Sequence, residues 1–275
     1  MTGEITIVTA FFDIGRGDWT PAKGHPHYLQ RSTSEYIKRF SYLASLDNDM
    51  VIYTSKEFEE PINECRRGKE DKTTVIVIEY ENEFKDLKDA VDKVQKDPEF
   101  QKLIDPSQVT NPEYWNKDYV IINWMKTFFV NHAIKTNVIK TELSAWIDFG
   151  YCRTVDTLGG ATKWEYDFNP EKIHLFNYKE FDTTRTMIDV ISTNDVHILG
   201  AKIVAGKQAW DTLQQLMAHS AQELLKINLI DDDQTLMLMS SLLKPEHFEL
   251  HKIPDHQLGL DPFIIFKDYN VHSSL

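Results

Sequence analysis

Apolar positions along this chain follow two alternating periods. Ile5 through Phe12 is an almost unbroken β-prone run, the pattern of a strand buried on both faces. Met50 to Tyr53 and Thr73 to Ile78 repeat it at shorter length. Between them the period becomes helical. Ser32 and Glu35 spell a capping box, and the helix it opens sets Tyr36, Phe40, Leu43 and Ala44 on one face. Glu57 to Arg67 reads as a second helix. Strand and helix in alternation predict a parallel sheet with right-handed helical crossovers.

Residues 79 to 118 are charged and mainly helical, broken at Pro98, Pro106 and Pro112. Pro112 to Lys135 carries the strongest helical pattern and predicts one long helix. Asn123 and Lys126, three apart, share a face of it. Ser144 to Ile147 predicts a fourth strand that ends on Asp148 and Gly150. Three further strands are expected at Lys172–Tyr178, Val196–Val204 and Phe248–Lys252, and two helices at Gln208–Lys226 and Thr235–Leu243. The expected fold is α/β, a mainly parallel central sheet flanked by helices. Residues 1–275 are expected to form a single domain, its halves meeting near residue 155.

Composition narrows the function. The chain has 275 residues, 41% of them apolar, so one sizeable core is within reach. A formal net charge of −13 argues against nucleic acid, whose phosphates need a basic face. Cys65 and Cys152 are the only cysteines, which fits a reducing compartment. No basic stretch precedes an apolar one at the N-terminus, and no apolar run is long enough to span a bilayer. The chain reads as cytoplasmic, with a peripheral membrane contact left open.

Asp148 is the first candidate for chemistry. Ligands collect at the carboxyl ends of strands in open α/β sheets, and a carboxylate there can hold a hard cation that in turn holds a diphosphate. The plainer alternative is that it caps a turn. Asp148-Phe149-Gly150 also matches a protein-kinase tripeptide, but no glycine-rich loop with its lysine strand and no His-Arg-Asp segment accompanies it. The irregular stretch from Asp13 to Gln30 is long for a connection and therefore a functional candidate. Arg16 in it, and Lys126, are candidates to neutralise phosphate; surface charge is the alternative for both. Asp231, Asp232 and Asp233 run together before a helix, and capping needs only one or two of them. The excess can serve a sugar hydroxyl as base or anchor. Gly206 can admit a ligand to the backbone. His251 can complete a metal shell with Asp148. No Walker loop or dinucleotide fingerprint occurs.

The segments Ile7 to Gly17 with Trp19, Tyr53-Thr54, Trp146 to Gly150 and Asp232-Asp233-Gln234 resemble the HtrL/YibB family, also called WlaTC/HtrL. Its bacterial members are linked to lipopolysaccharide or capsule gene regions and regarded as candidate glycosyltransferases. The order of elements is also similar to GT-A nucleotide-sugar transferases. That resemblance implies a GT-A-like fold with a smaller acceptor-side lobe, residues 1–155 binding a nucleotide sugar and 156–275 facing a glycan or lipid-linked glycan acceptor. It implies a nucleoside pocket at Thr9, Ala10 and Phe11, diphosphate contacts from Arg16 and Lys126, and substrate contacts from Trp146, Gly206 and Gln234. Asp232 or Asp233 would be catalytic on the acceptor side. Manganese or magnesium would sit on Asp148 and His251 and act as a Lewis acid on the leaving diphosphate. Asp148 matches the first aspartate of the family's Asp-x-Asp; Gly150 departs from the second. The alternatives are a silent glycan- or nucleotide-binding protein on the same fold, and a sugar nucleotidyltransferase.

Overall fold

The computed structural model describes residues 3–253 and residue 263. Seven strands form one sheet: β1 (Ile5–Phe11), β2 (Met50–Thr54), β3 (Thr73–Val77), β4 (Leu143–Ile147), β5 (Ile173–Asn177), β6 (Ile198–Gly206) and β7 (Phe248–Lys252). Their order is β3-β2-β1-β4-β6-β5-β7. The strands expected from the apolar runs are all present, and the first four pair in parallel. β6 runs antiparallel to both β4 and β5, and β7 returns parallel to β5. Both halves of the chain thus feed a single mixed sheet.

All seven residues of β1 are buried. Val8, Ala10 and Phe12 enter a core shared with Phe129, Trp146 and Trp210. Ile5, Ile7 and Phe11 enter a second core with Phe40, Phe149 and Trp164. A strand covered on both faces draws apolar side chains to both, which is why its sequence shows no alternation, the small Thr6 and Thr9 being its only polar members.

Ten helices flank the sheet among the described residues, and four of them shape the cleft or support its polar groups. Helix α1 (Thr33–Leu43) starts where Ser32 Oγ accepts from the Glu35 amide. The Glu35 carboxylate does not complete the capping box; it pairs with Arg39 one turn on. The expected long helix from Pro112 to Lys135 is instead three pieces: a 3-10 turn at Pro112–Tyr114, α2 (Lys117–Trp124) and α3 (Lys126–Lys135). The break at Met125 is slight: the residue stays right-handed helical, donates to Ile121 O and accepts from the Phe129 amide. Trp124 Nε1 donates to Asp231 O, and Lys126 Nζ reaches Asp233 Oδ2. The side chains on either side of Met125 thus both reach residues 231–233. Helix α4 (Asp233–Leu243) carries the end of that acidic run.

Candidate functional site

A cleft of about 530 Å³ opens at the carboxyl ends of β1 and β4. The chain leaves β1 for β2 on one side, while β4 lies on the other. This is the topological switch point, where open α/β sheets form their ligand crevice. Ala10, Phe11 and Phe12 end β1 at its floor, and Asp148 follows β4. Phe11 and Phe149 stack at 4.8 Å, with Tyr36 5.2 Å from Phe11.

Lys126 is the centre of the polar network. Its ammonium donates to Asp233 Oδ2 at 2.8 Å and to Gly200 O at 2.9 Å, and lies 3.1 Å from Asp148 Oδ1. An ammonium has three donors, and these three acceptors use them all. Trp146 Nε1 donates to the same Asp148 Oδ1 at 2.7 Å. Asp148 Oδ1 is therefore committed, and Oδ2 takes no hydrogen bond among the described residues. Lys126 is 3% exposed. Burial alone would lower its pKa, but Asp148 and Asp233 outweigh it and hold the ammonium above its ordinary value. Burial pushes the Asp233 carboxyl up to about 8, with Asp232 and Asp148 adding to it and Lys126 opposing. At 2.8 Å the geometry holds the ion-paired form, and the upward pull on Asp233 is the cost that Lys126 offsets.

The acidic run divides its labour. Asp231 accepts from the Asp232 amide and from Thr235 Oγ1. Asp232 Oδ1 accepts from the Gln234 amide and caps α4. Asp233 anchors Lys126 and fits against the backbone of Gly200, where an added Cβ would lie 2.9 Å from its Oδ2. Burial pushes Asp231 and Asp232 up to about 7 each. Neither Asp232 nor Asp233 lies on the cleft wall; both stand behind it, which corrects their expected place against an acceptor. Gln234 and Asp232 line a separate hollow of only about 10 Å³.

Of the other expected residues, Ala10, Phe11, Arg16, Lys126, Trp146 and Asp148 all reach the cleft. Thr9 does not. It lies two residues before the end of β1 and is fully buried, so its side chain stays in the core below the cleft floor. Gly206 lies at the wrong end of the sheet. It pairs with Leu143, the first residue of β4, and its missing Cβ admits the Pro170 carbonyl, 2.3 Å from where that atom would be. The close approach is backbone, not ligand. Arg16 is already engaged: Nε and Nη2 donate to Leu29 O and Nη1 to Tyr36 Oη, with the guanidinium 5.0 Å from the Trp19 ring centre.

The expected metal pair does not form. His251 on β7 is opposite Phe176 on β5, three strands from β4, or about 14 Å at ordinary strand spacing. Its Nε2 meets His174 Nδ1 at 2.9 Å instead. At position 150 a Cβ would lie 2.7 Å from the Tyr36 ring, so a second aspartate has no room there. Asp148 keeps only Oδ2 for a cation, its Oδ1 being held by Trp146 and Lys126, and the protein ligand pair expected for manganese or magnesium is not assembled. A lysine ammonium stands beside the carboxylate where such a cation was expected.

Three arginines outside the expected site residues also line the cleft: Arg31, Arg39 and Arg153. Arg31 follows the irregular stretch that holds Arg16, Lys23, His25 and His27, a local positive charge legible in the sequence. In the sequence Arg39 has the spacing of a helical partner for Glu35, and Arg153 has no motif around it.

The chain is similar to mouse xyloside xylosyltransferase 1 in its apo form, with 13% identity over 90% of this chain and 84% of that one and a TM-score of 0.40. A transferase carrying two cysteine-to-serine substitutions gives 12% identity, 95% and 92% coverage, and again a TM-score of 0.40. Closer in sequence is Protein HtrL of Escherichia coli strain K12, 39% identical over 254 residues, which are 91% of this chain and 88% of that protein. The family model described as "Bacterial protein of unknown function (HtrL_YibB)" matches residues 3–267. By both measures of sequence, the chain belongs to the HtrL/YibB family.

Proposed function

We propose that the cleft is the donor site of a glycosyltransferase, moving a sugar from a nucleotide-sugar donor to a glycan or lipid-linked glycan acceptor. In that reaction the bond between the anomeric carbon and the phosphate oxygen breaks, the nucleoside diphosphate leaves, and the acceptor hydroxyl attacks and gives up its proton. The observation that carries this reading is Asp148. Its side chain is 39% exposed at the switch point, with Oδ1 fixed by Trp146 and Lys126 and Oδ2 free toward the cleft. A carboxylate whose rotamer is locked while one oxygen stays open is suited to orient a sugar hydroxyl or to take its proton. The Phe11, Tyr36 and Phe149 rings supply an apolar side for the nucleoside. Surface polysaccharide, lipopolysaccharide or capsule, is the acceptor class in this reading, and it rests on the family resemblance alone. The unpaired thiols of Cys65 and Cys152 and the lack, among the described residues, of a helix able to cross a membrane are compatible with a cytoplasmic site.

The second reading is a binding protein on the same fold. It is favoured by one observation: Asp233, expected to act on the acceptor, is committed to Lys126. Hydrolysis of a panel of nucleotide sugars separates the two. Transferase chemistry requires turnover of at least one donor and a loss of about 10² or more in Asp148→Asn, the scale of a missing acid–base group. Binding without turnover by any member would move the protein to the second reading.

A further inference from the structure

We infer that the donor's diphosphate is held by an arginine wall, Arg39 with Arg31 and Arg153, without a divalent cation at Asp148. The inference rests on the donor-site reading and specifies how its anion is bound. The two cations expected from the sequence are already committed: all three Lys126 protons are taken, and Arg16 is tied to Leu29 and Tyr36. Arg39 is different. One arm of its guanidinium, Nη2, pairs with Glu35. The other, Nη1, is buried with no hydrogen-bond partner. Native structures rarely leave such a donor orphaned, and a small swing of the guanidinium toward the cleft would let a phosphate oxygen satisfy it. Arg39 also packs against the turn that follows Asp148: its Cδ lies 3.9 Å from where a Gly150 Cβ would be. The Arg31 and Arg153 side chains line the same cleft and make no hydrogen bond or ion pair among the described residues. Of the acidic groups on the wall, Asp13 accepts from the Gly15 amide and Thr33 Oγ1, and Asp148 has its Oδ1 held beside the Lys126 ammonium. Three guanidiniums with free donors, gathered on one cleft of a chain with net charge −13, form a local anion trap, and guanidinium forks match phosphate geometry.

Inorganic diphosphate is the probe. Calorimetric titration of the full chain is run in EDTA and again with excess manganese. The expected result is one site in EDTA, with an affinity within about threefold of that in manganese, weakening as salt rises because the wall is partly exposed. Arg39→Gln should weaken it at least tenfold. Arg153→Gln, an exposed position that leaves the fold intact, should weaken it severalfold, and Lys96→Gln on a distant surface should not change it. Binding that requires manganese, or that survives both arginine substitutions, overturns the inference. Metal-free diphosphate binding through the arginines with no nucleotide sugar turned over upholds the wall and removes the transferase reading.

Discussion

Replacing Lys126 with methionine removes one positive charge and little volume, and the structure sets what that should cost. Asp233 is 2% exposed and has the Lys126 ammonium 2.8 Å from Oδ2. Gly200 O loses its donor as well. Removing one partner of a buried ion pair costs on the order of 3–5 kcal/mol, because the other charge is left uncompensated. The cost should depend on pH. Burial already drives the Asp233 carboxyl up to about 8 against the pull of Lys126, and without the lysine it rises further. A carboxyl raised in the folded state binds its proton more tightly than in the unfolded chain. Stability is then highest at low pH and falls as pH climbs toward the folded-state value. At pH 6 the variant should fold with Asp233 protonated, losing hydrogen bonds worth about 1–3 kcal/mol and about 1.4 kcal/mol for each pH unit above the unfolded carboxyl value of about 3.9; at pH 8 the loss should be larger. Adding Asp233→Asn to Lys126→Met removes the stranded charge and should restore stability at pH 8, while Asp148 remains without its ammonium. Urea unfolding of the wild type, the single variant and the double variant at both pH values measures this. A single-variant loss under about 1 kcal/mol at pH 8, where a broken buried pair should cost several, would refute the reasoning, as would a double variant no more stable than the single.

Three further outcomes are expected. The wild type should melt at a higher temperature at pH 5.5 than at pH 8, because burial raises Asp231 and Asp232 and each is harder to ionise folded than unfolded; Asp232→Asn, which keeps an oxygen for the Gln234 amide, should flatten that slope in a calorimetric scan. Gly150→Asp should cost about 1–3 kcal/mol by overpacking against Tyr36, and Tyr36→Ala in the same chain should recover most of it in the same unfolding assay; stability unchanged by the single substitution would show that the ring is not what excludes a side chain. Gly206→Ala should destabilise more severely, since its Cβ would fall 2.3 Å from the rigid Pro170 carbonyl, yet the folded fraction should bind inorganic diphosphate like wild type because Gly206 lies at the far end of β4.

The order of strands and helices was legible in the one-dimensional pattern because burial acts locally. A run such as Ile5 to Phe11 has no polar face to give to water, so it becomes a strand covered on both sides wherever the chain leads it. Asp148 was legible for a related reason: it ends such a run, and the carboxyl end of a buried strand is where a parallel sheet meets ligands. Strand direction beyond β4 was not legible, because an apolar run carries no arrow; the antiparallel return of β6 is what brings Leu199 and Ala201 to the cleft and carries Gly206 away from it.

What tertiary structure alone decided is who pairs with whom. Lys126 and Asp233 are 107 positions apart, and no local period links them. The slight helix break at Met125 lies beside Lys126 and owes nothing to a proline or glycine in the stretch. His251 was a reasonable ligand for Asp148 by residue type, and three intervening strand spacings remove it. Gly150 reads in sequence as a missing aspartate; in space it is the seat of the Tyr36 ring. Charge, apolar period and turn chemistry are properties of neighbouring residues and survive in the sequence. Distance across the sheet is set by strand order and direction, and the identity of a site's partners depends on that distance.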